Sequence, residues 1–198
     1  LDLPALPPMA ESPRLSGAIS VTELISLSGK ALGLMTFDEK SVGLALGTRT
    51  GVVKRVKPDF LSNRDSWEVI RLEDGDELVG AVELTTGEEE LAFITSDAQL
   101  LRFSAGAVRP QGRSGGGIAG VRLATGEKVI AFGAIANIES AFVVTVAGSS
   151  SALPGTQNGS AKVTALSLYP AKGRGTGGVR CQRFLAGEDT LIFAWLGD

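Results

Sequence analysis

Arg113-Ser-Gly-Gly-Gly-Ile-Ala-Gly-Val-Arg-Leu123, followed by Gly126-Glu-Lys-Val-Ile-Ala-Phe132, sets an arginine in a glycine-rich turn, then an apolar run, a glycine turn and a second apolar run. The same phrase occurs in Pro13-Arg14-Leu-Ser-Gly-Ala-Ile-Ser-Val-Thr-Glu-Leu24 with Gly29-Lys-Ala-Leu-Gly-Leu-Met35. It returns in Arg64-Asp-Ser-Trp-Glu-Val-Ile-Arg-Leu72 with Gly75-Asp-Glu-Leu-Val-Gly-Ala-Val82. The last copy is Arg174-Gly-Thr-Gly-Gly-Val-Arg-Cys-Gln-Arg-Phe184 with Gly187-Glu-Asp-Thr-Leu-Ile-Phe-Ala-Trp195. Between the copies lie strand–turn–strand units: Ser41–Thr48 with Gly51–Val56, Glu90–Thr95 with Ala98–Phe103, and Ala141–Thr145 with Ala161–Leu166.

Spacing turns the likeness into a period. Arg14, Arg64 and Arg113 stand 50 and 49 residues apart, and Thr48, Thr95 and Thr145 stand 47 and 50 apart. Arg113 to Arg174 is 61, lengthened by a Ser/Gly/Pro-rich insertion over 149–160. One period holds about four short strands, the size of a propeller blade. The sequence therefore predicts an all-β, β-propeller-like pinwheel of four-stranded blades. Residues 1–13 are expected to be a linker or truncated lead-in, 14–40 half a blade, and 41–88, 89–139 and 140–198 full blades. A β-sandwich of similar strands leaves the 50-residue self-similarity unexplained.

Composition narrows the chemistry. The 198 residues contain 26 glycines, 8 prolines, no histidine and one cysteine, Cys181. That excludes disulfide frameworks, Ser-His-Asp triads, Cys-His pairs and zinc clusters. Cys181 reads as an ordinary reduced thiol, as in an intracellular protein. No apolar run reaches the ~20 residues of a membrane span. The acidic stretch Glu73-Asp74-Gly75-Asp76-Glu77 lacks calcium-loop spacing. Gly173-Arg-Gly-Thr-Gly-Gly178 lacks the lysine and βαβ setting of a nucleotide loop. Tyr169, the sole tyrosine, aligns with Arg109 of the preceding copy and reads as a strand-end residue, while Trp67 and Trp195 read as core.

The formal net charge is −3, but the charges are segregated. Ten acids lie between Asp65 and Glu90 against Arg71 alone, whereas 98–126 and 140–187 hold only cations. Local field, not total charge, governs docking of a phosphate backbone. The glycine-rich loops each present a guanidinium where main-chain N–H groups can approach an anion. Candidate phosphate contacts are Arg113, Arg174, Lys172, Arg64, Lys54, Arg55, Arg102, Arg109 and Arg180. The rival is a propeller scaffold whose acidic edge over 65–90 docks a basic protein without binding DNA.

Gly47-Thr-Arg-Thr-Gly-Val-Val-Lys-Arg-Val56 and the run Phe103 to Leu123 resemble blades of the C-terminal β-pinwheel of the A subunit of bacterial type IIA DNA topoisomerases, the gyrase and topoisomerase IV family. The resemblance covers nearly all of 14–198. It implies a rim that bends or wraps double-stranded DNA without base readout. It also implies a parent heterotetramer with an ATPase B subunit, requiring Mg2+ and ATP, in the bacterial cytoplasm at the nucleoid. This stretch itself would carry no catalytic residue and no cofactor. Gln111, Arg113, Gly115 and Gly117 fit the gyrase box, Gln-basic-Arg-Gly-Gly-basic-Gly, while Gly112, Ser114 and Gly116 depart from it, losing two basic positions. In the second loop Lys172 stands for the glutamine. The degenerate box resembles topoisomerase IV more than gyrase.

Overall fold

A computed structural model describes residues 20–27, 29–36, 38, 40–59, 64, 66–153, 156 and 159–198. They divide between two compact units, one over 1–31 and 61–68, the other over 32–60 and 69–198. In the first, Val21–Leu24 is a single helical turn (α1), with Ser20 capping it through Thr22 N. The repeat predicts an apolar strand run there; Ser20 instead offers the N-cap oxygen that starts a helix. The rest of the half blade before residue 20 lies outside the described residues.

The second unit holds three antiparallel sheets. Strands β1 (Leu44–Thr48), β2 (Val52–Val56) and β3 (Leu78–Glu83) build the first, β4 (Glu90–Thr95) and β5 (Gln99–Ser104) begin the second, and β6 is only Ile118–Ala119. Strand β7 (Val129–Ile135) completes the inner side of the second sheet. Strands β8 (Phe142–Gly148), β9 (Ala161–Ala165) and β11 (Thr190–Gly197) form the third, and β10 is Val179–Arg180. The orders are β3-β1-β2-β6, β10-β5-β4-β7 and β11-β8-β9. The sheets are not contiguous stretches of chain. β6, from 89–139, closes the sheet built from 41–88, and β10, from 140–198, closes the sheet built from 89–139.

Register identifies equivalent positions. Thr48, Thr95 and Gly148 each face the first residue of the inner strand, opposite Leu78, Val129 and Thr190. Gly148, not Thr145, therefore ends the third outgoing strand. The Thr48 hydroxyl accepts from Val52 N at 3.2 Å and that of Thr95 from Gln99 N at 3.0 Å, pinning the two tight hairpins alike. Gly51 (φ 90°) and Ala98 (φ 60°) take the same left-handed turn position, and Ala98 is the one non-glycine there among the described residues.

The sheets meet through their inner strands, β7 lying against both β3 and β11. Phe132 of β7 fills the space left by two glycines of the first sheet. A Cβ on Gly47 would sit 2.2 Å from Phe132 Cγ, and one on Gly80 2.7 Å from Phe132 O. Phe93 stacks on Phe103 and tilts against Phe132 at a 4.7 Å centroid distance. Tyr169 caps a 3-10 turn (Leu166–Leu168) as Val108 caps Ala105–Ala107, and its hydroxyl donates to Cys181 O at 3.3 Å. It is thus buried and equivalent to Val108 rather than to Arg109. Trp195 is 46% exposed on β11, not core, because no sheet among the described residues covers that face.

The turn into β4 is organised by Glu89, whose carboxylate accepts from Thr85 N at 2.6 Å, Thr86 N at 2.8 Å and Gly87 N at 2.8 Å. Burial pushes its pKa up, but these amides outweigh burial and leave it below the ordinary 4.5. A depressed carboxylate stabilises fully above its unfolded pKa and loses that contribution as pH falls through the folded value. Glu89→Gln should therefore destabilise most at neutral pH, with the urea-melt difference from wild type shrinking below pH 4.5. Gly47→Ala should cost about 1–3 kcal/mol by overpacking, and Phe132→Leu in the same chain should recover part of it in the same melts.

Candidate nucleic-acid interface

Two equivalent loops, 111–117 and 172–178, lead into the outer strands β6 and β10. Each starts on the middle of its sheet's hairpin: Gln111 N donates to Arg55 O at 2.8 Å, Lys172 N to Arg102 O at 3.0 Å. Each is closed by its first side chain. Gln111 Oε1 accepts from Gly117 N at 3.2 Å, and Lys172 Nζ donates to Gly178 O at 3.0 Å. Lysine thus does with a donor what glutamine does with an acceptor. Each loop also receives an amide from the preceding segment, Arg71 N to Gly115 O at 3.4 Å and Arg122 N to Thr176 O at 3.0 Å. These pairings make Arg113 and Arg174 equivalent, and likewise Arg71 and Arg122.

The predicted cations separate into two groups. Arg109, Lys172, Arg174 and Arg180 are exposed. Arg174 Nη1 donates to Ala119 O at 2.8 Å, which ties one end of the guanidinium while the side chain stays at the surface. Arg113 is partly exposed, with Nε 3.9 Å from Asp59 Oδ2. Arg122 and Arg183 are also exposed on the segments flanking the second loop. The acid-free stretches contain both, but neither occupies a loop, so the loop pattern passes over them. Arg64 is exposed and belongs to the other unit.

Lys54, Arg55 and Arg102 are corrections. Lys54 is fully buried, and its ammonium donates to Val69 O and Arg113 O at 2.8 Å and to Gly115 O at 2.5 Å. Arg55 Nη1 donates to Ala105 O at 3.0 Å and Val108 O at 3.4 Å. Arg102 is 8% exposed, with Nε on Tyr169 O at 2.6 Å and Nη1 on Glu90 at 3.0 Å. Strands covered on both faces turn both sides inward, so the basic run of β2 gives structural pins rather than surface contacts.

Part of the acidic edge is also engaged. Partial burial raises the Asp76 carboxyl, but hydroxyls of Thr50 and Thr48 and the amides of Thr50 and Glu77 hold it below its usual range. Thr50 N and Oγ1 reach it at 3.0 and 2.7 Å, and Ser150 N and Oγ grip Asp189 the same way at 2.6 and 2.7 Å. Glu83 accepts from Thr36 and Ser41. These carboxylates act as turn caps. Among the described residues no group of His, Cys, Asp or Glu is placed to hold a metal, and no helix is long and apolar enough to cross a membrane.

Sheets that complete one another at the outer edge and meet along their inner strands define a β-propeller-like pinwheel. Residues 89–136 and 155–194 match the model of the DNA gyrase C-terminal domain, beta-propeller. The chain belongs to this family, the C-terminal β-pinwheels of type IIA topoisomerase A subunits. It is 33% identical over 174 residues to the A subunit of DNA gyrase from Escherichia coli (strain K12), covering 87% of this chain and 17% of that one. It is 38% identical over 159 residues to the A subunit of DNA gyrase from Mycobacterium tuberculosis (strain H37Rv), covering 78% and 18%. The crystal structure of the C-terminal domain of DNA topoisomerase IV superposes with a TM-score of 0.68 at 21% identity, over 81% of this chain and 48% of that one. The chain thus spans under a fifth of the length of these gyrase relatives.

Burial drives the Cys181 thiol up to about 11, and Sγ donates to Ala98 O at 3.3 Å. The folded chain should give no rapid reaction with a disulfide reagent at pH 8, and one thiol per chain after denaturation.

Proposed function

We propose that the outer edges of the sheets bind double-stranded DNA through its phosphates, bending or wrapping it within a type IIA topoisomerase A subunit. The observation that carries this reading is the pair of equivalent loops, each bearing an arginine at the same position and lying beside exposed cations. Phosphate contacts fall to Arg113, Arg174, Lys172, Arg109 and Arg180, with Arg122 and Arg183 beside them and Arg64 on the other unit. Such contacts fix position without reading bases, so site preference follows bendability. The chain works non-catalytically and without its own cofactor. Strand passage, Mg2+ and ATP belong to the rest of the parent complex and its ATPase B subunit, in the bacterial cytoplasm at the nucleoid. The degenerate first box favours bending of the topoisomerase IV kind over tight wrapping.

The test is fluorescence anisotropy of a labelled duplex of about 40 base pairs, titrated from about 25 to 200 mM salt, a range over which phosphate-contact binding falls steeply. Arg113→Ala with Arg174→Ala should weaken binding and flatten the salt slope by roughly 2 log units per log of salt. An unchanged slope removes these two residues from the interface. Absence of binding at the lowest salt transfers the function to a protein partner.

A further inference from the structure

The buried ammonium of Lys54 has a consequence for the backbone above it. Its Nζ holds the carbonyls of Arg113 and Gly115 inward. No peptide bond among the described residues is cis, and in a trans peptide the C=O and the following N–H point in opposite directions. The N–H groups of Ser114 and Gly116 therefore face away from Lys54, on two residues that are exposed. Neither donates to any acceptor among the described residues, whereas Gly115 N and Gly117 N are bonded inside the loop.

The second loop shows what Lys54 changes. There Gly175, equivalent to Ser114, donates its N–H to Gly120 O at 2.6 Å. The carbonyl equivalent to Gly120 O is Val69 O, and in the first loop Lys54 Nζ donates to it at 2.8 Å. The position equivalent to Lys54 in the second sheet is Leu101, opposite Phe93 as Lys54 is opposite Leu46. Lysine on β2 thus takes the place of the loop's own amide at Val69 and leaves that amide available.

We propose that Lys54 is a positioning residue that builds a backbone oxyanion site from the N–H groups of Ser114 and Gly116, flanked by Arg113, and that this site takes one phosphate group. Alternate outward amides on a glycine-rich turn form an anion-binding concavity, and amide bonds to a charged oxygen are among the stronger hydrogen bonds. The site supplies at the first loop what the missing basic side chains of the box do not. It deepens the DNA-binding reading and rests on it for the identity of the phosphate as part of a duplex.

Amide NMR of the 15N-labelled chain, titrated first with inorganic phosphate and then with the 40-base-pair duplex, tests the site without any substitution. Ser114 and Gly116 should shift with both probes, while Gly175, already bonded to Gly120, stays in place with inorganic phosphate. In Lys54→Met the phosphate-dependent shifts at both residues should vanish. Duplex affinity should then fall about tenfold at every salt concentration, with the salt slope kept, since an amide contact releases no counterion. A slope that falls with the affinity would mean that Arg113 was lost with the loop, and would overturn the positioning role. Amides of Ser114 and Gly116 that stay unmoved while the duplex binds overturn the site and leave the DNA reading standing. Shifts with phosphate in a chain that binds no duplex support the site and overturn the DNA reading.

Discussion

The structure depends on a backbone crossing at the entry to each two-residue outer strand. Gly117 (φ 86°) and Gly178 (φ 77°) turn the loop onto the neighbouring strand so closely that a Cβ would lie 2.7 Å from Val53 O and 2.4 Å from Leu100 O. Only glycine meets both demands, a left-handed φ and no side chain. Past this point Gly120 N and Val121 N both donate to Gly51 O, and Cys181 N donates to Ala98 O. The chain then crosses to the inner side of the next sheet, where Val129 N donates to Arg49 O and Leu191 N to Ser96 O. Each segment is so bound to the preceding sheet at its outer edge and again at its inner strand. A strand pair of two residues has little stability of its own; its neighbours on both sides hold it.

The repeat is legible in the sequence because its markers are the residues that backbone geometry dictates. Gly75, Gly126 and Gly187 all have φ between 79° and 87° at equivalent turns, and their spacing carries the period. Register is less legible where no such marker exists. Thr145 resembles Thr48 and Thr95 in its apolar setting, yet Gly148 occupies their place. Aligning Tyr169 with Arg109 on the following prolines misplaces it by one residue, and a shift of one exchanges the inward for the outward face. Tyr169 therefore goes to the core beside Cys181, while Arg109 stays at the surface.

Lys54 and Arg55 show why the candidate site was only half visible. Adjacent strand residues point to opposite faces, so a basic pair on β2 could present at most one charge to a single surface. Lys54 is buried and Arg55 half-buried, and each finds backbone carbonyls. No periodicity separates a lysine that reaches solvent from one that reaches three carbonyls. That distinction depends on which loop folds over the strand, a contact between residues about 60 apart.

The acidic total charge also takes a different meaning once the carboxylates are located. Asp76, Glu83, Glu89, Glu188 and Asp189 accept hydrogen bonds from nearby amides and hydroxyls, and Glu90 faces Arg102. They satisfy turn N–H groups that would otherwise be unpaired. The loops 111–117 and 172–178 contain no acid at all. Solvent and salt screen exposed charges beyond about 10 Å, so an anion near a loop responds mainly to the groups within that range. The two loops reach the same backbone course by different means, one over a buried ammonium and one held by its own Gly175 amide and Arg174 guanidinium. Conservation of shape with exchange of donors fits the proposed reading of phosphates rather than bases, because a phosphate oxygen accepts equally from an amide or a guanidinium.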